Sequence, residues 1–565
     1  MSHDSHWLAE SRWEFFFNPR KDVNNSKENK TMKWQMIWVG TWMSALTWAA
    51  DRLVTVNPAE RFQTIDHFTA SDAWSGALVG RYWSDAERKQ IATWLFSQEV
   101  DGQGTPQGIG LSLWRVNTGA GTWEQPDCDI RPIQRRVESF KTTDAAHYDW
   151  GKCAGQRYFM EQAVALGCNN FLLFSNSPLI QWTRNGKGYS DVSDRANIQP
   201  DGYDRYGDYL ATVADHFIQE GFHIRFISPI NEPQVDWVRP TQEGTPWRVG
   251  EMKQMYVALD QAMQTYPSLK DVQILVGEAS NVPQMYRTDA SLTKRFGSET
   301  EAPHRLIQAF FDEQSPYSLC QLPHVPRLIA GHTYHMHTTN EEIRTTRSPM
   351  RDTCARYDVH YYQTEWCLLP FGENQIRRFD GFTSDWKAGN HTDIQVALLM
   401  GRLIYADLVL SGAEAWGYWK GMELNGDHAL INLQATENNL LKGGHAVPNK
   451  LLWALGNYSR FIRPGYQRVA LEGAETMDTL CGSAFCSPDG QQIVLVFVNS
   501  GFEPEPIRLD LPKSVRRSVR QLSMYQTDAE NDLRLVEHAD RLPASLTIAP
   551  RSLVTLHLTC SGPSH

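Results

Sequence analysis

Two glutamates stand where apolar runs end. Phe226-Ile227-Ser228-Pro229-Ile230 leads directly into Asn231-Glu232-Pro233, and Tyr361-Tyr362-Gln363-Thr364 leads into Glu365-Trp366. Cleaving a glycosidic bond needs two carboxyl groups flanking it, one protonated to assist the leaving oxygen and one ionised to attack or direct attack at the anomeric carbon. A single acid at a strand end is as readily a rim salt bridge. Two, each closing a different apolar run, form a candidate catalytic pair. The histidine-rich stretch His332-Thr333-Tyr334-His335-Met336-His337 invites a metal reading, but in an extended strand His335 and His337 face one way and His332 the other. No metal and no cofactor are therefore expected.

The elements that must position these acids follow from the surrounding pattern. From residue 63 short apolar runs alternate with amphipathic stretches, as in repeated β-α units around a parallel sheet. Candidate strands lie at 63–70, 110–116, 169–175, 224–229, 272–277, 328–334, 360–365 and 413–419. Eight units predict a closed (β/α)₈ barrel, whose chemistry sits at the C-terminal ends of the strands. One helix is announced by Ser84-Asp85-Ala86-Glu87, the spacing of a capping box. Another carries Tyr206, Leu210, Val213 and Phe217 on one face and stops at Gly221, a suitable left-handed terminator.

After residue 464 the pattern turns β-rich, with candidate strands at 477–485, 492–499, 506–511, 519–525 and 552–558, predicting an antiparallel side β-sandwich. The expected organisation is a polar extension and signal segment at 1–50, a strand at 51–62 that joins the sandwich, the barrel at 63–463 and the sandwich at 464–565. Within 1–50, residues 1–31 are polar, and Met32-Lys33 precede an apolar run at 34–50 ending in Thr47-Trp48-Ala49-Ala50. Such a run is too short for a bilayer span and has small residues at its end, as secretory signals do. The expected location is thus secreted or periplasmic.

Over 565 residues, 41% are hydrophobic and 21% charged, ordinary globular usage that excludes wholesale disorder and a multi-spanning membrane protein. The net charge of −11 supplies no basic footprint for nucleic acid. Nine cysteines occur without C-x-x-C spacing, which argues against a structural zinc site; Cys481 and Cys486 could be bridged or reduced. The expected partner is a β-linked glycan, with no nucleic acid, no membrane in the mature form and a monomeric state.

These motifs resemble the glycoside hydrolases of clan A, and within it family 30, over about residues 53–558. The resemblance is carried by Thr64-Ile65-Asp66-His67-Phe68, Ser71-Asp72-Ala73-Trp74, Leu113-Trp114-Arg115-Val116, Ser175-Asn176-Ser177-Pro178, Asn231-Glu232-Pro233, Thr364-Glu365 and Ala415-Trp416-Gly417-Tyr418-Trp419. It implies a retaining enzyme with Glu232 as acid/base and Glu365 as nucleophile. Asn231 would bind the 2-hydroxyl of the attacked sugar, Arg115 would orient the nucleophile, His332 and Tyr334 would stand beside it, and Trp419 would floor the sugar site. Asp72 and Trp74, with Asn176, are similar to the branch containing endo-β-1,6-galactanases and would border the substrate. The chain departs from the family at Asp66-His67-Phe68-Thr69, where relatives carry an Asp-Gly-Phe-Gly-like stretch, and at Asn176, where several carry Trp. The implied substrate is a largely neutral β-glycan, foremost β-1,6-galactan side chains, with β-1,6-glucanase, xylanase and β-glucosidase activities as alternatives. A non-catalytic carbohydrate-binding protein on the same fold is the alternative from another class.

Overall fold

The computed structural model describes residues 51–369, 379–384, 386 and 393–561. The expected extension and signal segment at 1–50 lie outside the described residues. The chain enters through a long strand, β1 (Arg52–Thr64), and then builds a ring of parallel strands: β2 (His67–Ser71), β3 (Leu113–Asn117), β4 (Asn170–Phe174), β5 (His223–Ser228), β6 (Gln273–Ile274), β7 (Val276–Ala279), β8 (Leu328–His332), β9 (His360–Glu365) and β10 (Ala415–Lys420). Their hydrogen-bonded order is β6-β5-β4-β3-β2-β10-β9-β8-β7. Because β6 and β7 are two halves of one strand interrupted at Leu275, the two ends of that order meet and eight strand positions close the barrel. The interruption is bridged, since Leu275 N donates to Ile227 O at 2.9 Å.

The expected first barrel strand at 63–70 straddles a junction. Gln63 and Thr64 end β1, whereas β2 starts at His67. Similarly, the expected strand at 328–334 stops at His332, and Tyr334 lies beyond it. A short sheet of β11 (Met422–Leu424), β12 (Ile431–Ala435) and β13 (Gly444–Pro448) follows the barrel.

The side domain comprises β14 (Gln467–Glu472), β15 (Leu480–Cys486), β16 (Gln492–Asn499), β17 (Glu505–Asp510), β18 (Val519–Thr527), β19 (Arg534–Ala539), β20 (Leu546–Ile548) and β21 (Ser552–Cys560). With β1 they are hydrogen-bonded as one nine-stranded sheet, in the order β19-β18-β21-β16-β15-β14-β1-β17-β20. It is not wholly antiparallel, because β1 runs parallel to β17 while pairing antiparallel with β14. The alternation along β16 shows how the sheet serves two cores. Ile493, Leu495 and Phe497 join the side domain's own apolar cluster, while Val494, Val496 and Val498 join the barrel's, as the two-residue period of a strand requires. Cys481 and Cys486 lie five positions apart on β15, one in each cluster. They point to opposite faces and both are free thiols.

Two helix details bear on the sequence reading. Ser84 Oγ accepts from Glu87 N, but the Glu87 carboxylate does not return to its own helix and accepts instead from Ala446 N at 3.0 Å. Half of the capping box is thus spent on tying the helix Asp85–Phe96 to β13. The helix Gly202–Gln219 buries Tyr206, Leu210, Val213 and Phe217 as expected and ends at Gly221 with φ +96°. Among the described residues no helix is long and apolar enough to cross a membrane.

Candidate active site

The barrel's C-terminal ends bring six of the expected residues into one cluster: Glu232, Glu365, Arg115, Asn231, His332 and Tyr334. Glu365 closes β9 and is 3% exposed. Its Oε2 accepts from Arg115 Nη1 at 2.5 Å and its Oε1 from the Tyr334 hydroxyl at 3.1 Å. The second arm of the guanidinium donates to Asn231 Oδ1 at 3.2 Å, so one rigid fork aligns the residue before Glu232 with the carboxylate of Glu365. The guanidinium carbon lies 3.8 Å from the ring centroid of Phe174, at the end of β4. That aromatic face partly replaces the water this buried cation has lost.

Glu232 follows β5 and takes a left-handed backbone, φ +44°, a conformation that side-chain-bearing residues avoid and that concentrates at functional sites. His332, the last residue of β8, lies between the two acids. Its Nδ1 is 3.1 Å from Glu232 Oε1 and 3.5 Å from Glu365 Oε1. One oxygen of Glu232, one nitrogen of His332 and one oxygen of Glu365 all fall within 4.8 Å of one another.

A third carboxylate, not singled out in the sequence, completes the cluster. Glu278 ends its strand one residue before the terminus of β7, is fully buried, and also takes a left-handed backbone, φ +48°. Its Oε2 lies 2.8 Å from His332 Nε2, accepts from the Thr364 hydroxyl at 2.7 Å and lies 3.5 Å from Arg115 Nη2. Its carbonyl accepts from Glu232 N at 2.9 Å. The expected strand at 272–277 stopped one residue short of it. An acid at the end of the fifth strand was the available signal.

The electrostatics follow from this arrangement. Burial opposes charge on His332, but the carboxylates of Glu365, Glu232 and Glu278 outweigh it and push the imidazole up to about 10. Burial likewise opposes ionisation of Glu278, yet Arg115, His332 and the Thr364 hydroxyl hold it below the usual carboxylate range. Burial raises Glu365, against the pull of His332 and Arg115, and the Glu232 charge adds to that rise. A proton on Glu232 would remove the last contribution. Burial also keeps the Tyr334 phenol far above its ordinary range, so it stays a donor. Two cations thus face three carboxyl groups, and a single proton makes the cluster neutral. The trio Glu232, His332 and Glu365 is spaced as metal ligands can be. However, the Glu365 carboxylate already accepts from Arg115 and the other nitrogen of His332 is engaged by Glu278. His335 and His337 are not in that trio.

The remaining expected residues lie around the cluster. Trp419 is buried at the end of β10, 5.6 Å from the Arg115 guanidinium and edge-on to Trp74 at 5.3 Å. Trp74 Nε1 is buried without a partner among the described residues, as are both amide atoms of Asn176 just beyond β4. The Asn176 side chain is therefore not bonded to the cluster. Asp72 sits deeper than a substrate contact would. It is 1% exposed, with Oδ1 accepting from Asn117 N at 2.8 Å and Oδ2 from Gln156 at 2.6 Å, and burial pushes its carboxyl up to about 7 against those bonds. It ties the end of β2 to the end of β3 and to the helix Ala154–Ala165.

Known proteins resemble this chain in sequence and in fold. The model of the family described as O-Glycosyl hydrolase family 30 matches residues 51–429. An endo-β-1,6-galactanase from Hypocrea rufa is 30% identical over 222 residues, 36% of this chain and 44% of that relative, so the match spans less than half of the relative's length. Among solved structures, a conserved exported protein from Bacteroides fragilis superposes with a TM-score of 0.80 at 28% identity, covering 89% of this chain and 100% of that one. The catalytic domain of a family 30 xylanase C from Talaromyces cellulolyticus superposes at 0.61 with 20% identity, covering 90% and 100% of the two chains.

Proposed function

We propose that this chain, which belongs to O-glycosyl hydrolase family 30 and is a glycosidase, cleaves β-linked glycans with retention of configuration, Glu365 attacking and Glu232 serving as acid and then base. The observation that carries this reading is the approach of the two carboxylates to within 4.8 Å around His332. Retaining enzymes keep their carboxyls about 5–5.5 Å apart so that one can reach the anomeric carbon, whereas inverting enzymes leave about 6.5–9.5 Å for a water. In the first step Glu232 gives its proton to the leaving oxygen as Glu365 Oε1 or Oε2 bonds to the anomeric carbon. In the second, Glu232 takes a proton from water, which displaces Glu365. The proton count favours this division: with Glu232 protonated, Glu278 and Glu365 balance Arg115 and His332. Asn231, held by Arg115, is suited to the 2-hydroxyl. Trp419 is suited to flooring the sugar. Unpartnered Asn176 and Trp74 Nε1 are suited to hydroxyls at the wall.

For the substrate we favour β-1,6-galactan side chains, supported by the similarity to the Hypocrea rufa endo-β-1,6-galactanase. β-1,6-glucan, xylan and simple β-glucosides are the alternatives. Action outside the cytoplasm fits such a polymer, and a relative known as an exported protein supports it. The test is reducing-sugar release from β-1,6-galactan, arabinogalactan, β-1,6-glucan, xylan and an aryl β-glucoside. Release from the galactans is expected. Release only from xylan or glucan would replace the substrate, and binding without release from any of them would return the non-catalytic reading.

A further inference from the structure

Glu278 touches several parts of the candidate site, yet the mechanism does not use it. It receives Glu232 N on its carbonyl, and its carboxylate meets His332 Nε2, the Thr364 hydroxyl next to Glu365, and Arg115. Its Oε1 lies 3.4 Å from Ser228 Oγ, at the end of β5. A fully buried carboxylate is costly unless each oxygen is satisfied by donors or cations, and here both are. It is nevertheless placed away from the sugar, on the far side of the imidazole from Glu232.

Resting on the retaining reading above, we infer that Glu278 is a positioning residue: it grips the Nε2–H of His332 and holds the ring as an imidazolium whose Nδ1–H bridges the acid/base and the nucleophile. The geometry gives the reason. A neutral imidazole has one N–H and one lone pair, whereas both nitrogens of His332 face carboxylate oxygens, at 2.8 Å on one side and at 3.1 and 3.5 Å on the other. A lone pair on Nε2 would face the ionised Glu278 carboxylate and one on Nδ1 the ionised Glu365 carboxylate, so with those two acids ionised and the Glu232 proton on its other oxygen the arrangement calls for both nitrogens protonated. The charged and titratable groups that face the ring are Glu232 from the loop after β5, Glu278 from β7, Glu365 from β9 and Tyr334 from its own segment, with Arg115 behind Glu278 and Glu365. Cys367 Sγ lies 3.9 Å from the Tyr334 hydroxyl. The bridge sets the distance between the two acids and lets one cation answer the negative charge that alternates between them during the two steps.

The sign of the effect follows. Removing the Glu278 charge takes away the anion that faces His332 Nε2 at 2.8 Å, so the second proton on His332 is lost more easily. In Glu278→Gln the alkaline limb of the kcat/KM profile should therefore move to lower pH by about one unit or more, with kcat reduced and KM little changed. Glu278→Asp, which keeps the charge, should restore the limb towards its native position. Reduced activity with both limbs unmoved in Glu278→Gln would reduce Glu278 to a structural role and overturn the inference. A second measurement does not depend on that variant folding. In the native enzyme labelled with ¹⁵N-histidine, the imidazole signal absent from His332→Gln should show two protonated nitrogens through pH 9; a neutral ring at pH 8 overturns the bridge. If the native chain cleaved no β-glycan, the functional reading would fail while the histidine titration still decided this one.

Discussion

Replacing Arg115 by lysine keeps the buried charge and removes only its shape. The guanidinium holds Glu365 at 2.5 Å through one arm and Asn231 at 3.2 Å through the other. An ammonium is a point donor and serves one of these directions at a time. Because the charge survives, Arg115→Lys avoids the about 3–5 kcal/mol expected when one partner of a buried ion pair is deleted, and the fold should persist. The lost arm is a hydrogen bond to or from a charged group, worth about 1.5–3 kcal/mol. If that arm acts in the transition state, kcat/KM falls by about 10- to 150-fold. Asn231 and Glu365 are assigned to the attacked sugar, so most of the loss should appear in kcat. The assay is initial rates over a range of concentrations of the best polysaccharide, alongside thermal unfolding of both proteins. A variant that unfolds like the native protein and turns over within threefold of it would refute the idea that the fork aligns the two halves of the site.

Three further outcomes follow from other contacts. Asp72, pushed by burial to about 7, favours its protonated form in the native state, so stability should be full below about pH 4, its unfolded value, and decline as pH rises towards 7; urea titrations should show Asp72→Asn flattening that slope, and an unchanged slope would discount the burial. The helices Ser75–Tyr82 and Ala154–Ala165 touch through Gly155, where an added Cβ would lie 1.8 Å from Ala77 O; Gly155→Ala should cost about 1–3 kcal/mol by overpacking, and an unchanged unfolding midpoint would mean the helices are more loosely packed than that distance requires. The side domain is pinned to the barrel where Thr555 donates to Asn457 O at 2.7 Å and to its Oδ1 at 3.0 Å; Thr555→Val should lower stability by about 1–3 kcal/mol while leaving kcat untouched, and a fall in kcat without loss of stability would assign that seam a different role.

The parts of the molecule that could be read from its sequence are those where one physical rule dominates. β9 and β16 coincide with the apolar runs at 360–365 and 492–499, because a buried strand is continuous in hydrophobicity and stops where polar rim residues begin. Glu232 and Glu365 stand out for the same reason. Glu278 does not, since its strand is broken at Leu275 and carries Gly277-Glu278, both with positive φ, just before its end at Ala279, so no uninterrupted apolar run leads to it. Asp72 illustrates a second limit. Its motif could be matched to relatives, but that its oxygens turn inward to Gln156 and Asn117 depends on partners 84 and 45 residues away. The parallel pairing of β1 with β17 was equally hidden, because strand direction in a sheet assembled from both ends of a chain follows from where the chain enters the barrel.

The assignment of Glu365 as nucleophile and Glu232 as acid/base is tested most directly by the configuration of azide products from an aryl β-glycoside with a good leaving group. In Glu232→Gln, glycosylation of Glu365 needs no acid assistance, and azide should accelerate turnover by attacking the glycosyl-enzyme from the β face, giving a β-glycosyl azide. In Glu365→Gly, azide occupying the vacated space should attack the substrate itself from the opposite face, giving the inverted α-glycosyl azide. A β-azide from Glu365→Gly together with an α-azide from Glu232→Gln would contradict the assignment and exchange the two roles, making Glu232 the nucleophile and Glu365 the acid/base.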